Sequence, residues 1–349
     1  MPETVAQEII VARPGDHRVL QVRERQLPPP EARQVLVDVT ACGVNFADVC
    51  VRLGVYSAVK KYPVVPGFEF AGVIAAAGEQ VRGLKAGDRV FGITRFGGYA
   101  SRIIVDEDYV WPCPHGMSLE RCAAFPAVYL TAKHAARRVA RVEKGETALI
   151  QSSAGGMGLA LTQILNAGGV KTVGVVSNGE KADLCRRFGI GRVIVRDGGR
   201  EWSQIEDSAP GGYDVIFDAN GGPSLLEGYR RLAPSGRLVV YGAAQMLERG
   251  KSKIHWLKLA WKYLRRPKFD PLSMITDNKG VLGFNVVYLF NDKERMRAYM
   301  RDLLELLNNG KITPLPVRSF PFEQAAEAHR AIESGQTSGK LVLRVREES

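Results

Sequence analysis

The sequence predicts an α/β protein with two domains, a barrel-like β domain followed by a doubly wound parallel sheet. Up to about residue 124, short apolar or alternating strands are separated by glycine and proline turns, which is typical of a β barrel. From residue 125 onward, strands and helices alternate, which indicates a parallel sheet with helices on both faces. The chain of 349 residues is long enough for two domains of ordinary size.

In the first domain, the β-branched and apolar runs predict strands at 19–23 and 34–39, and a further strand starts at residue 89. The alternating part predicts strands at 147–151, 171–177, 192–195, 215–218 and 237–241, with helices at 159–166 and 181–188.

The C-terminal part predicts a strand at 281–290, an amphipathic helix at 293–308 and a closing strand at 341–345. We expect the chain after about residue 285 to return to the first domain. The predicted organisation is therefore a catalytic domain formed by residues 1–124 and 285–349, and a cofactor domain at 125–284 with a basic insert at about 245–278.

Composition restricts the class of protein. The chain is 45% hydrophobic and 24% charged, as in globular proteins, and it shows neither a signal peptide nor an apolar run that would span a bilayer. We therefore expect a soluble, cytoplasmic protein. Five cysteines without a CxxC pair predict reduced thiols. The formal net charge of +11 favours anionic ligands, but no nucleic-acid recognition motif is present and nucleic acid is not an expected partner.

The most informative motif is a glycine turn between the strand at 147–151 and the following helix. Glycines allow the backbone to approach a diphosphate, and the first N–H groups of the helix then face it. This context predicts a dinucleotide site, whereas the alternative is a tight loop without a ligand. The residues concerned are Ala154, Gly155, Gly156, Met157 and Gly158.

The residues after the second and third strands of this domain indicate which dinucleotide binds. Sites selective for NAD place a carboxylate at the end of the second strand, but here that strand ends at Ser177. Lys181 and Arg196 follow, and two cations suit the 2′-phosphate of NADPH. Glu180 could instead reach a ribose, and the two cations could be solvated surface charges. We predict NADPH.

Five motifs together resemble the medium-chain dehydrogenase/reductase superfamily. They are ACGVNFAD at 41–48, PGFE at 66–69, GDRV at 87–90, AGGMG at 154–158 and DANGG at 218–222. The resemblance covers nearly the full length and is strongest to the zinc-free quinone oxidoreductase branch, near the vesicle amine transport protein-like subgroup. It implies a GroES-like β-barrel catalytic domain, a Rossmann domain, a cleft between them, NADPH as the cofactor and a homodimer.

The resemblance also bears on metal binding. Zinc members of the superfamily have a cysteine where this chain has Asn45 and a histidine where it has Phe68. A catalytic zinc needs three protein ligands, and these two side chains cannot supply them. We predict no metal. Without a Lewis acid, quinones and α,β-unsaturated carbonyls are better hydride acceptors than simple ketones, because the charge delocalises.

Two side chains are candidates for the catalytic face of the cleft. Tyr56 matches a tyrosine near the substrate of related enoyl reductases and could donate a hydrogen bond or a proton, or it could only line the pocket. Asn45 matches a position near the nicotinamide, although its side chain could instead make a local backbone bond. The resemblance implies cofactor contacts at further positions, which are Thr131, Asn220, Gly242, Phe284 and Lys340.

Nearby charged residues have expected structural roles. We expect the carboxylates of Asp48 and Glu69 to pair with nearby cations, for which Arg52 and Arg89 are candidates.

The basic insert has a helical pattern, with apolar residues at 254, 257, 261 and 264 and cations away from that stripe. We favour a lid or dimer-edge helix whose stripe packs on its own protein. The alternative is an amphipathic helix on an anionic membrane surface, formed by residues 247–274. The function hypotheses are correspondingly an NADPH-dependent reductase of quinones or α,β-unsaturated carbonyls, or a peripheral membrane or lipid-binding protein on a retained reductase fold.

Overall fold

The computed structural model describes residues 4–247 and 255–348. Two large sheets and a separate hairpin organise these residues. The strands are β1 Thr4–Val11, β2 Leu20–Leu27, β3 Gln34–Val44, β4 Glu69–Ala77, β5 Arg89–Ile93, β6 Arg102–Asp106, β7 Val110–Pro112, β8 Thr147–Gln151, β9 Lys171–Val176, β10 Arg192–Val195, β11 Tyr213–Asp218, β12 Leu232–Val240, β13 Gly280–Gly283, β14 Val317–Pro321 and β15 Lys340–Arg344.

The helices lie mainly between the strands of the second half. They are α1 Phe46–Leu53, α2 Leu119–Ala123, α3 Pro126–His134, α4 Gly156–Ala167, α5 Gly179–Arg187, α6 Glu201–Ser208, α7 Ser224–Arg230, α8 Trp256–Leu264, α9 Pro271–Asp277, α10 Lys293–Asn308 and α11 Ala325–Ser334. None of the helices in the described part of the chain is long and apolar enough to cross a membrane.

The first large sheet has the order β14-β15-β3-β4-β5-β7, and β6 also pairs with β3. Strand β15 runs antiparallel to β3, and Leu341 lies opposite Val44. Because Val44 is the last residue of β3, the C-terminal strand lies directly beside the start of α1. The segment that ends the chain therefore forms part of the same sheet as its first hundred residues.

The second large sheet has six parallel strands in the order β10-β9-β8-β11-β12-β13. The order in which strands are added to the sheet reverses between β8 and β11. In doubly wound sheets, ligands bind at such a point, beyond the carboxyl ends of the strands. Leu149 in β8 and Ile216 in β11 are completely buried, because helices cover both faces of a parallel sheet. This sheet confirms the predicted doubly wound architecture.

One predicted element is wrong. The sequence predicts a single strand over 281–290, but β13 ends at Gly283 and a short 3₁₀ helix occupies Val286–Asn291. Asn285 accounts for the break, because its side-chain Oδ1 accepts a hydrogen bond from the backbone N–H of Val287 at 3.2 Å and begins the helical turn.

Candidate active site

A cavity of about 730 Å³ is lined by residues of both large sheets. It lies beyond the carboxyl ends of β8, β9, β11 and β12, and on the other side it meets α1 and β15. All of the site residues predicted from the sequence line it, namely Asn45, Tyr56, Thr131, Ala154, Gly155, Gly156, Met157, Gly158, Ser177, Lys181, Arg196, Asn220, Gly242, Phe284 and Lys340.

The glycine turn forms the floor of this cavity. Gly155 is the N-cap of α4, and a Cβ built on it meets only the carbonyl of Ser152, at 3.5 Å. A Cβ on Gly158 would lie 2.6 Å from the Cα and carbonyl oxygen of Ser153, which is backbone that cannot move away cheaply. Gly158 therefore lets α4 pack against the turn, and Gly155 leaves space in front of the first N–H groups of the helix.

Lys181 and Arg196 both line the cavity beside Ser177. The Nζ of Lys181 donates to the carbonyl of Gly335 at 2.6 Å, and Lys181 is 8% exposed. Arg196 donates from Nη2 to the Oε1 of Gln151 at 2.9 Å. Because both side chains line the cavity and are bonded within the protein, Lys181 and Arg196 are not simply solvated surface charges. Glu180 is not among the lining residues.

Asn220 is held beside the glycine turn by a network that sequence reasoning missed. Its Oδ1 accepts from the hydroxyl of Ser152 at 3.0 Å, and its Nδ2 donates to the Oε1 of Gln151 at 3.3 Å. The carboxylate of Asp218 accepts the backbone N–H groups of Asn220 and Gly221, both at 2.7 Å. Gln151 thus connects Arg196 to Asn220. The sequence signal that could have identified Gln151 is its position as the last residue of β8, directly before the glycine turn.

Asn45, Glu69 and Lys340 form a triad at the other side of the cavity, in which Glu69 and Lys340 are buried and Asn45 is half-buried. The Nζ of Lys340 lies 2.5 Å from Glu69 Oε1 and 2.6 Å from Asn45 Oδ1. The Nδ2 of Asn45 donates to Glu69 Oε1 at 2.9 Å, and Glu69 Oε2 accepts the N–H of Ala127 at 2.8 Å. Asn45 is also the N-cap of α1 in a capping box with Asp48, so its side chain combines a local capping role with the contacts to Glu69 and Lys340. One Nδ2 hydrogen remains after these bonds.

The carboxylate of Asp48 fixes the backbone of Asn45 beside this triad. Its Oδ2 accepts the backbone N–H of Asn45 at 2.7 Å and its Oδ1 accepts that of Gly67 at 2.8 Å, while the hydroxyl of Tyr99 donates to Oδ2 at 3.2 Å. Burial raises the pKa of Asp48 to about 7.

The expectation that Asp48 pairs with a cation is wrong, because backbone N–H groups and a hydroxyl bind it instead. Arg52 pairs with Glu333 and Arg89 with Glu348. Glu69 does pair with a cation, but that cation is Lys340.

Tyr56 lies in an aromatic wall of the cavity. Its ring contacts those of Phe68 and Phe96 edge-on, with centroids 5.7 and 6.4 Å away. The hydroxyl donates to Oδ1 of Asn285 at 3.1 Å, and burial raises the pKa of Tyr56 to about 12. The phenol is therefore protonated throughout the physiological range. Asn285 was missed as a site residue, although an asparagine in front of an apolar run is a recognised capping signal.

The remaining predicted positions complete the lining. Thr131 donates its hydroxyl to the carbonyl of Ala127 at 2.5 Å, within its own helix. A Cβ on Gly242 would lie 2.5 Å from the carbonyl oxygen of Ala219, so only glycine fits there. The ring of Phe284 lies 6.2 Å from that of Tyr241.

The two positions that carry zinc ligands in other members hold an amide and an aromatic ring. Asn45 is bound to Glu69 and Lys340, and Phe68 is packed against Tyr56 and Phe96. Within residues 4–247 and 255–348, no group of three or more His, Cys, Asp or Glu side chains is arranged to hold a metal ion. That the protein uses no metal stays a prediction.

The basic insert contributes helix α8 to the cavity wall. His255, Lys258, Leu259 and Lys262 line the cavity, while Leu257, Trp261 and Leu264 are 79%, 56% and 70% exposed. The expectation that the apolar stripe packs on its own chain is therefore wrong at these three positions, while its alternative form, a helix at a dimer edge, stays a prediction.

Arg249, Lys251, Lys253 and Ile254 of the insert lie outside the described residues. Pro271 begins α9.

Comparisons with known proteins agree with this geometry. A family model described as the alcohol dehydrogenase GroES-like domain matches residues 31–115, and one described as zinc-binding dehydrogenase matches residues 188–343. The fold and the cleft define a dehydrogenase or reductase that binds a nicotinamide cofactor. The chain belongs to the medium-chain dehydrogenase/reductase superfamily, in its quinone oxidoreductase branch near the VAT-1 homologues. The predicted family and the GroES-like and Rossmann folds are confirmed.

Individual relatives show how far the likeness extends. Synaptic vesicle membrane protein VAT-1 homolog of Danio rerio is 31% identical over 324 residues, which are 93% of this chain and 66% of that protein. The chain thus spans just under two thirds of that relative. Quinone oxidoreductase of Mus musculus is 30% identical over 322 residues, 91% of each chain. A mycobacterial protein complexed with NADPH is similar with a TM-score of 0.83 and 26% identity, over 97% of this chain and 99% of that one.

Proposed function

We propose that this protein is a zinc-independent, NADPH-dependent reductase of quinones or α,β-unsaturated carbonyls that acts in the cytoplasm. The observation that carries the proposal is that one cavity joins the glycine turn, the cations Lys181 and Arg196, and the polar pair Asn45 and Tyr56. Relatives named quinone oxidoreductase and a similar structure complexed with NADPH support the same reaction class.

The residues present fit NADPH. Gly155 leaves room for a diphosphate before the N-terminus of α4, where backbone N–H groups and the helix dipole favour anions. Lys181 and Arg196 follow β9 and β10 and would hold the 2′-phosphate, with Ser177 beside them. Asn45, Gly242 and Phe284 would surround the nicotinamide end.

When bound, NADPH supplies the hydride. The protein's own contribution is positioning and charge stabilisation at the acceptor's oxygen. The remaining Nδ2 hydrogen of Asn45 is a donor at that side of the cavity, and the hydroxyl of Tyr56 would become one when its hydrogen turns from Asn285 Oδ1 to the acceptor. Asn45 and Phe68 offer no ligand set for zinc. The aromatic wall of Tyr56, Phe68 and Phe96 would keep water away from the acceptor.

Cofactor choice is the first test. Lys181→Ala and Arg196→Ala are each expected to weaken NADPH binding about tenfold and to leave NADH binding nearly unchanged, since each removes one charge-assisted contact to the 2′-phosphate. Titration of cofactor fluorescence measures both affinities, and turnover with quinones and 2-alkenals is followed by NADPH oxidation. Arg186→Ala is the matched control, because Arg186 is an exposed cation on the same helix that pairs with Asp183.

The result against the proposal would be tight NADPH binding without turnover of any compound in a broad panel of quinones and enones. Equal affinity for NADPH and NADH in the unaltered protein would instead refute the assignment of Lys181 and Arg196.

Tyr56→Phe tests the proton or hydrogen-bond donor. We expect kcat to fall by about a hundredfold, because general-acid assistance is lost, while KM changes little. Because the pKa of Tyr56 is about 12, the rate of the unaltered enzyme should show no inflection from this group near neutral pH. Tyr62→Phe is the control, since Tyr62 donates to the carbonyl of Val51 and does not line the cavity. An unchanged kcat would assign Tyr56 a lining role.

A homodimer is part of this proposal. Strand β13 lies at one end of the parallel sheet, so its outer edge is available for pairing with a second copy. Sedimentation measurements of the protein in solution would determine its mass, and a monomer at micromolar concentration would contradict this assembly.

The exposed face of α8 favours a second candidate function, a peripheral protein on an anionic membrane surface. Trp256, Leu257, Trp261 and Leu264 are more than half exposed on a helix that also carries cations, and Leu272 and Ile275 of α9 are similarly exposed. Such a face suits insertion at the level of lipid headgroups.

Flotation with liposomes tests this candidate. Binding should require anionic lipid and should be lost in Leu264→Glu, whereas Leu226→Glu, at a partly exposed leucine of α7, should leave it intact. Flotation that is absent or independent of lipid charge would remove the candidate.

A further inference from the structure

The side-chain amide of Asn285 is held in a single orientation at the wall of the cavity. Its Oδ1 accepts the backbone N–H of Val287 at 3.2 Å, and the hydroxyl of Tyr56 donates to the same atom at 3.1 Å. A backbone N–H can only donate, so the end of the amide that faces Val287 is the oxygen. The Nδ2 group therefore lies at the opposite end of the amide.

The Nδ2 group of Asn285 is an unused donor. In the described part of the chain, the side chain of Asn285 makes two hydrogen bonds, and both are made by Oδ1. Nδ2 is not one of the enclosed polar atoms that lack a partner in these residues, and Asn285 is a half-buried residue of the cavity lining. An accessible pair of N–H groups therefore remains on a residue of the cavity wall.

The position of Asn285 in the fold places it near the end of the cleft proposed for the nicotinamide. It directly follows Phe284, whose backbone N–H donates to the carbonyl of Val240 at 3.3 Å, at the end of β12. Tyr56 comes from the loop after α1, so its hydrogen bond to Asn285 joins segments that are 229 positions apart. An acceptor that lies against the nicotinamide would therefore have this hydrogen-bonded pair beside it.

We propose that Asn285 is a catalytic residue whose Nδ2 donates a hydrogen bond to the carbonyl oxygen of the bound acceptor. Negative charge develops on that oxygen as hydride adds to the conjugated system, and a donor with a fixed orientation stabilises the charge. The Oδ1 of the same amide holds the hydroxyl of Tyr56. When that hydroxyl turns to the acceptor, Oδ1 keeps the N–H of Val287 and is not left unpaired. This inference rests on the proposed function for the identity of the acceptor.

The experiment compares 4-nitrophenolate with nitrobenzene. The oxygen of 4-nitrophenolate carries the negative charge that the acceptor oxygen develops, and nitrobenzene lacks that oxygen. Both are titrated by calorimetry into the full-length protein saturated with NADP⁺, so that no turnover is required. Asn285→Ser should weaken 4-nitrophenolate binding about tenfold, because a hydrogen bond to a charged oxygen is lost, and should leave nitrobenzene binding unchanged.

The substitution is chosen to preserve the local fold. Asn285 is the N-cap of the 3₁₀ helix Val286–Asn291, and serine retains that capping ability. Asn285→Thr repeats the measurement with a second neutral capping residue. Asn291→Ser is the control, because Asn291 is an exposed residue of the same short helix outside the cavity lining, and it should leave both affinities unchanged.

A double variant separates direct donation from an effect through the phenol. In a Tyr56→Phe background, Asn285→Ser should still weaken 4-nitrophenolate binding about tenfold, because the contact of Nδ2 does not require the hydroxyl. If the effect of Asn285→Ser disappears in this background, Asn285 acts only by orienting Tyr56, and the direct donor is refuted.

Turnover gives an independent readout. The kcat for quinones and enones should fall about a hundredfold in Asn285→Ser, while the affinity for NADP⁺ stays the same. If the unaltered protein reduces no quinone or enone but loses 4-nitrophenolate binding in Asn285→Ser, the proposed reaction alone is refuted. If kcat and 4-nitrophenolate binding are both unchanged in Asn285→Ser, or if the unaltered protein binds the two probes equally, this inference alone is refuted.

Discussion

Gly158→Ala is expected to reduce NADPH binding at least about a hundredfold, since a shifted turn loses two or more charge-assisted N–H contacts to the diphosphate. The new Cβ would lie 2.6 Å from the Cα and the carbonyl oxygen of Ser153. Both atoms are backbone, so relief requires the turn and the start of α4 to separate. We also expect the free energy of unfolding to fall by about 1–3 kcal/mol, as in other overpacked sites.

Gly179→Ala is the matched control for this change. Gly179 also lies in the first turn of a helix that follows a strand of the parallel sheet, but a Cβ there meets no atom within 4 Å. It should leave NADPH affinity unchanged and should not lower the melting temperature. Fluorescence titration and thermal unfolding measure the two quantities. Retention of normal NADPH affinity in Gly158→Ala would show that the diphosphate does not lie over this turn.

Lys340→Met is the second change with a large expected effect. It leaves the carboxylate of Glu69 without its cation at a position that is completely buried. Breaking a buried pair from one side costs about 3–5 kcal/mol of stability. The side chain of Asn45 also loses the donor that fixes its Oδ1, so turnover should fall even in the fraction that is folded. Chemical denaturation and steady-state kinetics measure these two effects.

The double variant Glu69→Gln with Lys340→Met separates the two contributions. Removing the stranded charge should restore much of the lost stability, because a neutral amide at position 69 can still accept the N–H of Ala127. It should not restore full turnover, since the orientation of Asn45 depends on both partners. If Lys340→Met alone were as stable as the unaltered protein, the buried ion pair would have no structural role.

The order of elements was predictable because periodicity and turn residues act locally. The run at 147–151 followed by glycines predicts a strand, a turn and a helix, and β8 and α4 occupy those positions. The helix predicted at 293–308 has the same limits as α10. Such segments need no knowledge of distant residues, because their own pattern of burial determines them.

The errors have a common physical cause, which is competition from contacts outside the local pattern. The apolar run 281–290 suits a strand, but the side chain of Asn285 bonds to Val287 and to Tyr56 and ends the extended backbone. The stripe of α8 suits burial, but in this chain the opposite, cationic side faces the cavity. In both cases the local pattern is consistent with more than one structure, and only the contacts with distant residues determine which one forms.

The candidate site shows the same division. The glycine turn and the cations after β9 and β10 could be predicted from the sequence, because each of them comes shortly after the end of a predicted strand. The pairing of Glu69 with Lys340 is not, since 271 positions separate the two residues along the chain. Nor could the sequence show that Gln151 connects Arg196 to Asn220, because that depends on the order of strands across the sheet.

The junction at Gly339 and Lys340 has a mechanical consequence. The N–H of Gly339 donates to the carbonyl of Ala154 at 2.9 Å, and the next residue holds Asn45 through its ammonium. Two adjacent residues therefore connect the glycine turn to the side chain of Asn45. If the diphosphate binds at that turn as proposed, a displacement of the turn on cofactor binding would also move Asn45, so that cofactor binding and the alignment of this side chain would be coupled.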